Sequence, residues 1–171
     1  AGPLYDRMMQ RVAQGAYPNP SALAVFLNAF GRTGNTARID EVYELAMHVI
    51  ASRPRDSEWQ RRSWVQLEDG MVTALSHAGL GTRANMHRER IIAAGQVPSA
   101  SAYAALIATI QERTDDAAVA EQLFAESQQL QVRPTTYLFN TVISKLSRAR
   151  KAEQALPVSY THLTLPTICS G

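Results

Sequence analysis

Residues 103–110 read YAALIATI. The apolar residues at 103, 106, 107 and 110 follow the spacing i, i+3, i+4, i+7, which places them on one side of an α-helix. The pattern returns as FNTVISKL at 139–146 and, in weaker form, at 68–75 and 23–30. In chain order the four stretches lie 45, 35 and 36 residues apart. A helix that recurs at nearly constant spacing indicates an array of repeats.

Each of these helices is followed by a short polar or glycine-containing turn and then by a second helical segment. The second helices are predicted at 39–50, 83–94 and 117–130. A helical hairpin of about 35 residues cannot bury its apolar face alone, so such units stack on their neighbours. The sequence therefore predicts an all-α fold, an α-solenoid of stacked helix-turn-helix repeats. A helical bundle without true repeats is the alternative.

The spacing also predicts where the units begin and end. The predicted segments are a trailing helix of a preceding repeat at 1–17, a first repeat with an insertion at 18–64, a second at 65–99, a third at 100–135 and a truncated fourth at 136–156. The insertion of ten residues is expected partly at 35–37 and partly in the Arg-rich stretch 52–63.

Residues 157–171 leave this pattern. Pro157 would end a helix within its first turns, and the segment that follows has no charged residue and no helical period. Residues 158–167 resemble one translated reading frame of a sequencing-library adapter. We therefore expect 157–171 to be a non-native or disordered tail, with a genuine C-terminal extension as the alternative.

The composition narrows the classes of protein. Of the 171 residues 46% are hydrophobic and 26 are alanine, the best helix former, while the net charge is +2. The longest uncharged run in the repeats, 91–111, is polar at several points and carries Pro98, so it is not the stretch of about 20 apolar residues that a membrane span needs, and we expect no membrane partner.

Residues that could support catalysis or bind a metal are sparse. Cys169 is the single cysteine, and His48, His77 and His87 share no metal-ligand spacing, so these histidines are predicted to be polar surface groups. The sequence contains no Gly-rich phosphate loop and no catalytic triad. We predict no catalysis, no cofactor, no metal and no small-molecule substrate.

The fourth unit has the most specific sequence. Residues 134–156 read PTTYLFNTVISKLSRARKAEQAL. This stretch resembles the pentatricopeptide repeat, whose units open with Pro and continue through Tyr-Asn-Thr-Leu-Ile to Lys-Ala-Gly and Glu-Ala-Leu. The resemblance covers 18–156, is closest to fungal mitochondrial members, and is weakest in the second unit, where Glu68 replaces the aromatic residue.

The resemblance implies binding of single-stranded RNA, with one repeat addressing one base, in organellar RNA processing, stability or translation. It also implies a mitochondrial location. In the family the fifth and last residues of a repeat face the base. Here the fifth positions are Ala24, Asp69, Ala104 and Asn140, and the last positions of the second and third repeats are Ser99 and Thr135.

Only some of these positions suit their implied role. Asn140 can donate and accept hydrogen bonds, whereas Asp69 only accepts when ionised, and alanine offers no polar atom. The second position of each repeat packs beside the base in the family. It is occupied by Ser21, Gln66, Ser101 and Tyr137, of which Tyr137 alone can stack.

Cations near the ends of the first helices would supply affinity for phosphate. The resemblance marks the basic position, and the candidates for phosphate contact are Arg32, His77, Arg113, Lys145 and Arg148. The alternative for the basic run at 145–151 is a solvated turn whose cations compensate the negative end of a helix dipole.

Two other functions stay open at the level of sequence. The chain could be a helical-repeat scaffold that binds other proteins in its groove. It could also be the RNA-docking arm of a nuclease, which would require an acidic metal cluster elsewhere.

Overall fold

A computed structural model describes residues 2–52, 57–110 and 116–148. Within these ranges all regular secondary structure is helical. The helices are α1 (Gly2–Ala13), α2 (Pro20–Arg32), α3 (Thr36–Ala51), α4 (Ser57–His77), α5 (Gly81–Ala93), α6 (Ala100–Thr109), α7 (Asp116–Gln129) and α8 (Thr136–Arg148). The all-α fold predicted from the periodicity is confirmed. The predicted tail at 157–171 lies outside the described residues.

Helices α2 to α7 pair into successive hairpins. Three-residue turns at 33–35 and 78–80 join α2 to α3 and α4 to α5. Gly34 and Gly79 occupy the left-handed region in these turns, with φ of +67° and +77°. Glycine has no Cβ to resist this conformation, so the turn glycines end α2 and α4 and reverse the chain at the same point of these two units.

The first helices of the units form one continuous row. α2 packs on α4, α4 on α6 and α6 on α8, while α3, α5 and α7 each pack against the first helix of their own hairpin. The second helices are joined by long side chains, such as Arg88 Nη1 and Glu126 Oε1 at 2.6 Å. This stacking is the predicted α-solenoid.

The predicted apolar stripes form the seam between units. Stripe residues without solvent exposure include Leu23, Leu27, Val72, Leu75, Tyr103, Ile107 and Val142. Each such side chain contributes about 1.5–3 kcal/mol on burial, so the seam rather than any single hairpin stabilises the array. α1 joins it through Tyr5, whose ring lies edge-on to Phe26 and Phe30 at centroid distances of 5.2 and 5.3 Å.

The inserted residues lengthen a helix. α4 has 21 residues, whereas α2 and α8 have 13 each. Its first turns come from the Arg-rich stretch, and the predicted division after residue 64 falls inside it. The expectation of an insertion at 35–37 was wrong, because the turn at 33–35 is as short as the turn at 78–80.

Candidate nucleic-acid interface

One side of the first-helix row is exposed, and we call it the inner face. It is defined by the four second positions, Ser21, Gln66, Ser101 and Tyr137, all of which are exposed. The Tyr137 ring is 58% exposed, which leaves a π surface open to an unpaired base. The equivalent second positions of the four units are thus all open to solvent.

The fifth positions differ in accessibility. Asn140 is exposed, Asp69 and Ala24 are half-buried, and Ala104 is fully buried at 0% exposure. Ala104 cannot contact a base, so its place among the candidate base-reading residues was wrong. The reason is the composition of α6, which is apolar nearly throughout and is enclosed by α4, α5, α7 and α8.

Asp69 and Ser99 are in direct contact although 30 residues separate them. The backbone N–H of Ser99 donates to Asp69 Oδ1 at 2.7 Å, and the Ser99 hydroxyl donates to Asp69 Oδ2 at 2.6 Å. Ser99 Oγ also accepts from the N–H of Ala102 at 3.1 Å, so Ser99 caps the start of α6. The resemblance assigned these two positions to one base, and they lie side by side at the junction of α4 and α6.

A groove of about 280 Å³ opens over this pair. Its walls are the exposed side of the first half of α4 and the segment that precedes α6. The polar residues that line it are Arg61, Arg62, Gln66, Asp69, Gln96 and Ser99. Such a concave site with several convergent polar groups has the character of a ligand site.

The Asp69 carboxyl is tuned by its surroundings. Burial raises its pKa above the usual 3.8, while the two hydrogen bonds from Ser99 act in the opposite direction. Both carboxylate oxygens already accept one hydrogen bond, and each keeps a further lone pair. When ionised, Asp69 therefore offers acceptors, and it suits a partner that brings N–H groups.

The last position of the third repeat, Thr135, has no polar fifth-position residue to pair with. Thr135 is exposed and caps α8, accepting from the N–H of Leu138 at 3.2 Å. The corresponding fifth position is the buried Ala104, which has no polar atom to offer. The fifth and last positions are both assigned in the second and third repeats. Only in the second repeat do they form a polar pair, Asp69 and Ser99, in one groove.

The two candidate phosphate contacts at the ends of α2 and α4 differ in charge. Arg32 is exposed at the end of α2, and its charge reaches His77 at the end of α4. Burial and then the charge of Arg32 lower the pKa of His77 below its usual 6.5. His77 is thus neutral at physiological pH and adds no positive charge there.

Lys145 does not serve as a phosphate contact in this structure, and its selection as one was wrong. The side chain is 8% exposed, and its Nζ donates to the carbonyl oxygen of Ile110 at 2.6 Å. It thereby satisfies a carbonyl at the end of α6. Arg148, by contrast, is exposed and forms no ion pair within the described ranges. Arg113 lies outside the described residues.

A buried polar cluster was missed by sequence reasoning. Glu68 is fully buried and accepts from the Tyr43 hydroxyl at 2.7 Å, contacts His87 Nδ1 at 2.7 Å and pairs with Arg90 at 3.2 Å. His87 is 9% exposed, so its prediction as a surface group was wrong. The signal was an acid within an apolar stripe, because such a group is buried only with partners.

Other kinds of site are not formed by the described parts of the chain. No group of three or more His, Cys, Asp or Glu residues there could hold a metal ion. No helix in those parts has the length and apolar character of a membrane span.

Comparison with known proteins agrees with the repeat pattern. No protein-family model matches the chain. The chain is similar to pentatricopeptide repeat-containing protein 5, mitochondrial, of Schizosaccharomyces pombe, at 24% identity over 155 residues. The match covers 88% of this chain and 12% of the length of that relative. With its stacked hairpins, the chain is a pentatricopeptide-repeat-like protein.

Proposed function

We propose that this pentatricopeptide-repeat-like chain binds single-stranded RNA along its inner face, as a non-catalytic module in mitochondrial RNA processing, stability or translation. The mitochondrial assignment is supported by the name of the yeast relative. The RNA assignment is supported by the repeat resemblance and by the character of the inner face.

The contact between Asp69 and Ser99 is the observation that carries this proposal. A base-reading pair must come from two points of the repeat that are distant in sequence and adjacent in space. These two side chains meet at 2.6 Å and line one groove with exposed cations beside it. A free carboxylate lone pair there can accept an N–H from a base edge.

The exposed groups of α8 supply a second contact point. Asn140 can both donate to and accept from a base edge, and Tyr137, one helical turn earlier, can stack on a neighbouring base. Arg148 near the end of the same helix can neutralise a phosphate. Base, stacking and phosphate contacts are then all available on one helix.

The fifth positions of the inner face differ in the polar atoms that they offer to a base. Asp69 and Asn140 offer polar atoms, while Ala24 has none and Ala104 is buried. A good base contact is worth about 1–3 kcal/mol, so two of them give weak and loosely specific binding. We expect this stretch to add to the affinity of a longer array.

A protein-binding scaffold is the competing function, and one feature favours it. A groove of about 500 Å³ lies between α5 and α7, among the second helices, whereas the inner face is formed by the first helices. Met86 and Val119 line this groove and are 59% and 40% exposed. Because the two surfaces lie on different helices, substitutions in one surface can test RNA binding and protein binding separately.

A salt titration tests the proposal. Binding of fluorescein-labelled single-stranded homopolymer RNAs to the full chain would be followed by fluorescence anisotropy at increasing salt. Binding at low salt that weakens linearly in log–log form would support RNA recognition, since each phosphate contact releases counterions. Lack of binding at low salt, with capture of a protein through the α5–α7 groove, would favour the scaffold.

A further inference from the structure

We propose that the additional turns at the start of α4 form a phosphate-binding element, in which Arg61 and Arg62 hold the backbone of the nucleotide whose base faces Asp69 and Ser99. This inference rests on the proposed RNA binding and adds one subsite to it. Its basis is the α4 extension, which the 13-residue first helices α2 and α8 lack.

The geometry brings these residues to one groove. Positions 61, 65 and 69 of α4 follow one another at i, i+4, i+8, and 62 and 66 follow beside them, so they share one side of the helix. All five line the groove that also contains Ser99. At 1.5 Å rise per residue, Arg62 lies about 10 Å along the axis from Asp69, a span suited to one extended nucleotide.

The two ends of the groove carry opposite charge. Asp69 is its one acid, and the Asp69 carboxylate would repel a phosphate placed at that end. Arg61 and Arg62 at the other end would attract it. A nucleotide therefore has one favourable orientation, with its base edge toward Asp69 and its phosphate toward the start of α4.

Both guanidinium groups are available to a ligand. Arg61 is exposed and has no ion pair with any described carboxylate. Arg62 pairs with Glu58 at 3.0 Å, but the two side chains are 72% and 65% exposed, and such a surface pair is weak. A phosphate can displace Glu58 from Arg62 at little cost and make bidentate contacts instead.

Single substitutions test this subsite in the full chain. Arg61→Gln and Arg62→Gln remove one charge each and keep helix propensity nearly unchanged. Arg83→Gln is the matched control, because it removes one charge from the opposite layer, where Arg83 pairs with Asp40. Helicity of every variant would be verified by circular dichroism.

We expect each inner-face variant to reduce the slope of log affinity against log salt by about 0.7 and to weaken binding to all homopolymers about fivefold at low salt. The Arg83→Gln variant should bind as the parent does. If the parent binds RNA and all three variants behave alike, the subsite is overturned while RNA binding stands. If the parent itself shows no salt-dependent RNA binding, the proposed function fails and the subsite with it.

Discussion

Gly31 of α2 lies directly against the backbone of Ala74 of α4. A Cβ added at Gly31 would come within 2.6 Å of both the Cα and the carbonyl oxygen of Ala74. This is a point where the row of first helices is held together by backbone-to-backbone approach. The absence of a side chain at Gly31 therefore sets the spacing between the first two units.

Gly31→Ala is expected to destabilise the protein by about 1–2 kcal/mol. Alanine would favour the helix by about 1 kcal/mol, but the overlap with Ala74 must be relieved by moving a whole helix. Gly70→Ala is the matched control, because its nearest neighbour is the Leu27 side chain at an ordinary 3.4 Å. Urea unfolding would measure both, and a Gly31→Ala variant more stable than the parent would contradict the close approach.

Glu68→Gln should lower the free energy of unfolding by about 2 kcal/mol. The amide places an N–H₂ group among Tyr43, His87 and Arg90, where the fully buried Glu68 carboxylate supplies acceptors. Glu58→Gln, which breaks an exposed ion pair, should cost less than about 0.5 kcal/mol. Equal shifts in the denaturation midpoints of the two variants would show that the buried cluster contributes nothing.

Ser99→Ala should destabilise the protein by about 1–2 kcal/mol, because α6 loses its cap and Asp69 loses one of two hydrogen bonds. Thr135→Ala removes a cap of the same kind from α8, where no acid takes part. Thermal unfolding should rank Ser99→Ala as the more harmful change. The reverse order would mean that the Asp69 contact adds no stability.

The stability of the fold should decline in alkali. Burial raises the pKa of Tyr5 to about 12, so in the unfolded chain this phenol ionises first, near 10. Ionisation then favours the unfolded state, and stability is lost as pH rises from about 10 toward 12. Burial raises the pKa values of Tyr43 and Tyr103 as well, which adds to the decline.

Denaturant unfolding between pH 9 and pH 11.5 tests the contribution of Tyr5. Tyr5→Phe should flatten the decline, and the exposed Tyr17→Phe should retain the dependence of the parent. An identical decline in parent and Tyr5→Phe would exclude Tyr5 as a contributor.

Substitutions at Asn140 and Arg148 of α8 should have different effects on RNA binding. Asn140→Ala should alter the order of preference among homopolymers without changing the salt slope, because an amide reads bases and carries no charge. Arg148→Ala should leave that order intact and lower the slope by about 0.7. An Asn140→Ala variant with the parent's base preference would remove base reading by Asn140.

The repeating pattern of apolar residues was sufficient to predict the architecture. The apolar stripes at 23–30, 68–75, 103–110 and 139–146 predicted four first helices, and the turn glycines marked where two of the hairpins reverse. These are local properties, since a helix and its glycine-terminated end depend on residues within about one turn of each other. The register of the units could therefore be read along the chain.

The availability of polar groups on the inner face depends on packing between the units. Asp69 meets Ser99 30 residues away and Lys145 meets Ile110 35 residues away, while the neighbours of α6 bury Ala104. A hydrogen-bond partner or a covering side chain contributed by another unit leaves no trace in the local period. The helices and their repetition thus follow from local sequence, whereas packing between the units selects the side chains that remain free to meet a ligand.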